Sequence, residues 1–274
     1  MNVVLDSVPA FPDRENEDFV AAAPGAAVLL DGAGVGVGDS TGCTHGVAWF
    51  SGTLGALILR SITAAPVRPL SECLANAILA VRAMHADTCD TAHPASPAST
   101  VVAVRVSERT TEYLLLGDSS LLLATQDGTV TNFTDRRLDE IGAAFRGGMD
   151  RLPTGSAEHT VALAAYRARL SEHRNRPGGY WVASNDPEVG THALTGTVPT
   201  GTLASLTLMS DGASRLVDRF CLDDWSGAVA LVRDDGPRAL IQRVRDAEAS
   251  DPDGRRWPRG KSRDDASVLH WRLG

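Results

Sequence analysis

The chain has 274 residues, 43% of them hydrophobic and 22% charged, and a formal net charge of −8. This is the balance of an ordinary globular protein, long enough to bury roughly 75% of its unfolded surface without staples. The acidity argues against nucleic acid as a partner, and the opening MNVVLDSVPAF has neither the basic region nor the long apolar run of a secretory leader.

In chain order, Asn2 to Leu5 reads as a first strand, and a turn-rich stretch from Pro9 to Asn16 follows. The apolar runs Phe19 to Ala23 and Ala26 to Leu30, split by Pro24-Gly25, read as a hairpin that brings Asp18 and Asp31 near each other. The glycine-rich stretch Gly32 to Gly46 lacks both the GK[ST] ending of a nucleotide loop and a helix-opening GxGxxG, so it reads as a loop. Two helices are expected over Val47 to Thr63 and Leu70 to Asp90. The most apolar helical stretch, Gly46 to Leu59, is too short for a membrane span and is broken by Ser51, Gly52 and Thr53. On the second helix, Leu74, Ile78, Val81 and Met84/His85 form one apolar stripe, which makes His85 a core or edge histidine.

Strands then dominate. Thr100 to Val106, Glu112 to Leu116, Leu121 to Thr125 and Thr129 to Phe133 are spaced for an antiparallel meander. Helices are expected from Arg136 to Phe145 and Ala157 to His173, and strands from Tyr180 to Ser184 and Leu203 to Met209. Helices over Phe220 to Arg233 and Arg238 to Ala249 lead to a last strand, Ser267 to Leu273. Strands come in groups rather than alternating with helices, so the class is α+β with antiparallel sheets, in one domain over residues 1–274.

Four strand ends carry carboxylates: Asp31-Gly32, Asp118, Asp211-Gly212 and Asp264-Asp265. A carboxylate at a strand end is held rigidly at the rim of a sheet, and several together make a hard oxygen site suited to magnesium, manganese or calcium. Zinc would want cysteine and histidine at fixed spacing. Cys43-Thr44-His45 is the only Cys/His pair near this region, and no further ligands stand at zinc spacing from it. The four cysteines, Cys43, Cys73, Cys89 and Cys221, form no CxxC pair and read as reduced thiols of a cytoplasmic protein. Gly38-Asp39-Ser40-Thr41-Gly42 matches the form of a nucleophile elbow, but no strand feeds into it.

Taken in order, Arg14-x-Asn16-Glu17-Asp18, Asp31-Gly32-x-Gly34, Ser99-Thr100, Gly117-Asp118-Ser119, Ser210-Asp211-Gly212 and Asp264-Asp265-x-Ser267-Val268 resemble the metal-dependent protein phosphatases of type 2C, bacterial members most closely. The resemblance implies a β-sandwich of two antiparallel sheets with helices on both sides (α-β-β-α). It implies a centre of two Mn2+ or Mg2+ ions, with an optional third, that activates water against a phosphate monoester. Asp31 would bridge the two metals, the Gly32 carbonyl would bind one of them, and Asp211 and Asp264 would complete the second. Asp18, with Glu17, would hold water on the metals; Asp118 would support the third ion together with Asp211, and Arg14 would bind the substrate phosphate.

The chain departs from the family pattern in three places. The arginine stands one residue later, after Asp13; Ala33 occupies the position of a histidine found in many eukaryotic members; and Asp265 replaces a common asparagine. His45 is the nearest replacement for that histidine, against its plainer reading as a residue at a helix start. The basic run Arg255, Arg256, Arg259, Lys261 and Arg263 precedes Asp264 and is placed to steer a substrate; Arg167 to Arg176 reads as an exposed helix face. The expected activity is that of a monomeric phosphoprotein phosphatase with neither nucleic acid nor membrane as partner. The alternatives are a weakly catalytic regulatory domain of the same fold and an enzyme of small phosphate metabolites.

Overall fold

The computed structural model describes residues 2–34 and 41–273. The strand β3 (Ala26–Leu30) is buried along its whole length. Its odd and even residues serve different cores: Ala27 and Leu29 face a second sheet, whereas Ala26, Val28 and Leu30 face helices. A strand covered on both faces has no reason to alternate polar and apolar residues, which is why AAVLL is uninterrupted.

One antiparallel sheet runs β1 (Asn2–Val8), β12 (Ala266–Arg272), β11 (Leu203–Met209), β8 (Ser120–Thr125) and β9 (Val130–Phe133). The other runs β10 (Leu194–Pro199), β7 (Thr110–Leu116), β6 (Val101–Val106), β3 and β2 (Phe19–Ala23). The sheets pack through a core that includes Leu29, Val102, Val104, Leu115, Leu121, Leu206, Leu208 and Trp271. A short ladder of β4 (Gly32–Ala33) and β5 (Ala98–Ser99) continues from the end of β3. Helices α1 (Gly46–Ala64) and α2 (Leu70–His85) cover the β3 sheet. Helices α5 (Asp211–Asp218), α6 (Trp225–Asp235) and α7 (Pro237–Ser250) cover the β12 sheet. Helices α3 (Arg137–Ala143) and α4 (Ala157–Ser171) close a smaller cluster, in which Leu138, Ile141 and Leu170 pack around Ala98, Tyr180 and Val182. This is the expected α-β-β-α sandwich.

Several local expectations are corrected. The four strands read as a meander divide between the sheets, because Gly117-Asp118-Ser119 carries the chain from the end of β7 to β8 across the sandwich. Tyr180 to Ser184 is buried but holds only isolated bridges, Ser99 to Ala183 and Arg174 to Tyr180. The strand β10 went unread because LTGTVP, with its glycine, proline and exposed residues, carries the composition of a sheet edge. Helix α5 was concealed by the glycine at its second position. Helix α1 is continuous through Ser51, Gly52 and Thr53, and it is long and apolar enough to cross a membrane by length and composition. Here it packs on the sheet through Phe50, Leu54, Ile58 and Ile62, with the Ser51 hydroxyl returned to the Val47 carbonyl at 3.1 Å.

Gly55 lets α1 approach the hairpin. A Cβ there would overlap the Phe19 ring and come within 3.1 Å of Leu30. Gly55→Val should therefore destabilise the protein by about 1–3 kcal/mol through overpacking; an unchanged urea midpoint would refute this close approach.

Candidate metal centre

The strand ends that carry the acidic residues meet at one end of the sandwich. In the β2–β3 hairpin, Phe19 is paired with Leu30, so Asp18 and Asp31 stand at adjoining ends of neighbouring strands. From the other sheet, β11 runs into Asp211 and β12 begins just after Asp264-Asp265. The Asp211 N–H donates to Asp31 Oδ2 at 3.1 Å and ties the two sheets together at the site.

The backbone of Asp31 is fixed from the β5–β6 side. Its carbonyl accepts from the Thr100 N–H at 2.9 Å and from the Ser99 hydroxyl at 2.9 Å. Thr100 Oγ1 stands 3.2 Å from the Asp31 N–H and 2.7 Å from Ser119 Oγ, next to Asp118. Gly32 is required by close approach: a Cβ would lie 2.5 Å from the Glu17 carbonyl oxygen and 2.6 Å from Val47 Cγ1.

Among the described residues neither carboxylate oxygen of Asp18 closes a hydrogen bond of good geometry, although the Ser210 and Ser267 hydroxyls stand beside them, and both oxygens are buried, the donor arrangement expected where a cation completes the site. Burial pushes the Asp18 carboxyl up to about 8, and the neighbouring Asp265 and Asp211 add to the rise. Asp118 also reaches about 8, through burial and then the charges of Asp211 and Asp139. Asp31 is raised by burial, then by Asp211 and Asp18; Asp211 is raised by burial, then by Asp264. Glu17 is raised by burial despite the opposing charge of Lys261. Divalent cations held by such oxygens would relieve the shared repulsion, so this donor set fits Mn2+ or Mg2+.

Asp264 differs from the rest. Burial would raise it, but Lys261 and Arg215 outweigh burial and hold it below the ordinary carboxylate range. Lys261 Nζ lies 2.6 Å from Oδ1 and Arg215 Nη2 2.7 Å from Oδ2. The carboxylates converge without closing to coordination distance. Among the described residues, the only group of three or more ligating side chains whose atoms lie within 4.8 Å of one another is a different one, made of cysteine and histidine.

Sequence reasoning missed two supporting residues. Asp265, read as the replacement of an asparagine, accepts from the N–H groups of Ala10 and Glu17, both at 2.7 Å, and so anchors the segment bearing Arg14. Arg215 joins Asp264 to the buried Glu248 at 3.2 Å; an arginine in a short helix gives no such signal in sequence. Arg14 itself is exposed, its guanidinium 5.2 Å from the Phe11 ring centre, with no ion pair among the described residues. The basic run separates on folding. Arg259 is buried on Asp251 at 3.1 Å and Arg256 lies over Trp257, whereas Lys261 turns into the acidic cluster. Ser40 lies outside the described residues.

A two-sheet sandwich with carboxylates gathered at one end is an arrangement suited to holding hard divalent cations. The profile of the protein phosphatase 2C family matches residues 14–234, and the chain belongs to that family; by membership it is a phosphoprotein phosphatase. No curated protein sequence matches it. Among solved structures it is similar to a bacterial serine phosphatase, with a TM-score of 0.63, 13% identity and coverage of 100% of this chain and 98% of that one. It is also similar to MsPP, a PPM Ser-Thr phosphatase from Mycobacterium smegmatis in complex with cacodylate, at a TM-score of 0.59 and 18% identity over 100% and 99% of the two chains. A third is the catalytic domain of PstP in complex with two manganese ions, at a TM-score of 0.51 and 17% identity over 98% and 96%. At these identities the structural likeness concerns the fold.

The raised carboxyls set a sign for pH dependence. A carboxyl that goes from 3.8 unfolded to about 8 folded contributes stability below 3.8, and that contribution is lost as pH rises through about 8. In chelator, the melting temperature should therefore fall between about pH 4 and pH 8, manganese should reverse the fall, and Asp18→Asn should make it shallower, Asp118 and its neighbours keeping the rest. A metal-free melting curve independent of pH in that window would contradict the assigned burial.

Proposed function

We propose that the protein hydrolyses phosphoserine or phosphothreonine on proteins, using two Mn2+ or Mg2+ ions held by Asp31, the Gly32 carbonyl, Asp211 and Asp264. The observation that carries this reading is the buried carboxylate of Asp18, on which no hydrogen bond of good geometry closes among the described residues, set among raised carboxyls in a chain of the 2C family. Ions bound there would supply Lewis-acid activation of water and neutralise charge developing on phosphorus.

The chain's own residues have separable roles in this proposal. Asp31, fixed through its backbone by Ser99 and Thr100 and through Oδ2 by the Asp211 N–H, would help to hold both ions. Asp18 and Glu17 orient water and accept its proton. Asp118, with Asp211, supports an optional third ion, and Asp139 and Asp218 add negative charge there. Arg14, which makes no ion pair among the described residues and whose segment is anchored by Asp265, binds the phosphate. With Ala33 in place of a histidine, the leaving alkoxide takes its proton from solvent. We further propose a single domain over residues 1–274, acting as a monomer in the cytoplasm, where the free cysteines would stay reduced.

Phosphate release from a phosphothreonine peptide should require manganese and stop in excess chelator. Asp31→Ala should abolish turnover, and Arg14→Ala should raise KM roughly tenfold with a smaller change in kcat. Undiminished rates in Asp31→Ala would sink the proposal, and turnover confined to small monoesters would move the substrate class to metabolites.

One contact favours a second reading, a regulatory domain with weak catalysis. The Lys261 ammonium stands on Asp264 Oδ1, where it competes with a cation for that oxygen. Lys261→Met should lower the manganese concentration giving half-maximal turnover by roughly tenfold. An unchanged manganese dependence would remove Lys261 from the account, and an inert wild type activated by this change would favour the regulatory reading.

A further inference from the structure

A second cluster of ligating atoms lies outside the acidic site, at the junction of the two helices that cover the β3 sheet. Cys43 and His45 precede α1, and His85 ends α2. Cys89 follows in a turn, with its N–H on the His85 carbonyl at 2.9 Å. Sequence offered only the first pair, because the second is 40 residues away and His85 lies on an apolar helix stripe. The fold brings all four together, with ligand atoms within 4.8 Å of one another.

The distances fit one small tetrahedral ion. Cys43 Sγ lies 3.4 Å from Cys89 Sγ, 3.8 Å from His45 Nδ1 and 3.6 Å from His85 Nδ1, and Cys89 Sγ lies 3.3 Å from His45 Nδ1. With Zn–S near 2.3 Å and Zn–N near 2.05 Å, tetrahedral edges are about 3.8 Å between sulfurs and about 3.6 Å between sulfur and nitrogen.

The surroundings orient the ligands. His85 is buried, and its Nε2 lies 3.2 Å from Asn185 Oδ1. Asn185 Nδ2 donates to the Thr91 carbonyl at 3.0 Å, which fixes the amide and makes Oδ1 the acceptor. His85 Nε2 therefore carries the proton, and Nδ1 presents its lone pair toward Cys43, the outer-partner arrangement of metal-binding histidines. The His45 ring stacks on Trp49 at 4.3 Å, and the Thr44 N–H donates to Cys89 Sγ at 3.4 Å, a bond that suits a thiolate.

We propose that Cys43, His45, His85 and Cys89 form a structural zinc site, distinct from the manganese or magnesium centre. Four protein ligands leave no open position, so the role is to hold the fold rather than to activate water. Thiolate and imidazole ligands select zinc over the hard ions suited to the carboxylates. The site would pin the start of α1 to the end of α2. Two residues past His45, Val47 packs against Gly32, so the pin would also hold the backbone next to Asp31. The inference does not depend on the phosphatase reading.

Metal analysis of the full chain, purified in reductant and dialysed against excess manganese, tests it. The expected result is one zinc per chain, retained in Asp31→Asn and lost in Cys89→Ser. Cobalt replacement in the wild type gives a second readout that does not depend on the folding of Cys89→Ser: tetrahedral d–d bands and a thiolate-to-cobalt charge-transfer band. Zinc absent from the wild type, zinc lost in Asp31→Asn but kept in Cys89→Ser, or bound cobalt without thiolate charge transfer would overturn the proposal. Recovery of Cys43 and Cys89 as a disulfide from protein prepared with zinc and reductant would overturn it as well.

Discussion

The constraint on which the structure turns is the gathering of like charges at one end of a sandwich. Buried carboxylates oppose one another's ionisation, and each costs several kcal/mol to desolvate while charged. The fold tolerates them because they sit on strand ends that its two cores hold rigid. The contact between the Asp211 N–H and Asp31 Oδ2 is the point at which the sheets meet in the site. The rest of the architecture keeps that end in register: the Ser99 and Thr100 bonds to Asp31, the close approach at Gly32, and α1 packed on the hairpin.

The acidic groups are not equivalent. Asp18, Asp31, Asp118 and Asp211 are left to repel, and their carboxyls rise. Asp264 is neutralised from within by Lys261 and Arg215, and Arg215 is itself tied to the buried Glu248 of α7. Asp265 turns the other way and ties down the segment between Ala10 and Glu17. Two adjacent aspartates thus do opposite work, one facing the acidic cluster and one holding the loop that carries Arg14.

Sequence disclosed the features that depend on local chemistry. The β2–β3 hairpin, helices α1 and α2, the α+β class with antiparallel sheets and the acidic strand ends were legible because apolar runs, turn residues and carboxylates declare themselves within a few positions, whereas the α-β-β-α layering came from the family resemblance. What escaped depends on partners distant in sequence. Leu115 of β7 and Leu121 of β8 share the core between the sheets, and the two strands differ in the helices behind them, α1 and α2 behind Leu114 and Leu116, α5 to α7 behind Leu122, a difference that a run of leucines does not reveal. Arg259 reads like its exposed neighbours until Asp251, eight residues earlier, is seen to bury it. His85 fits an apolar stripe and is indeed buried, but what it is buried against comes from the other side of α1.

The same asymmetry explains why hard and soft ligands sort to different places. The carboxylates lie at strand ends because a sheet rim is where an acidic side chain can be both rigid and near solvent. The cysteines and histidines lie where two helices meet, and their geometry is set by helix periodicity: His85 and Cys89 are one turn apart and face the loop carrying Cys43. The segment carrying Cys43 and His45 enters α1, whose Val47 packs against Gly32. An ordering force at the helix junction therefore acts on the backbone of the acidic centre through Val47 and Gly32, without any side chain shared between the two clusters.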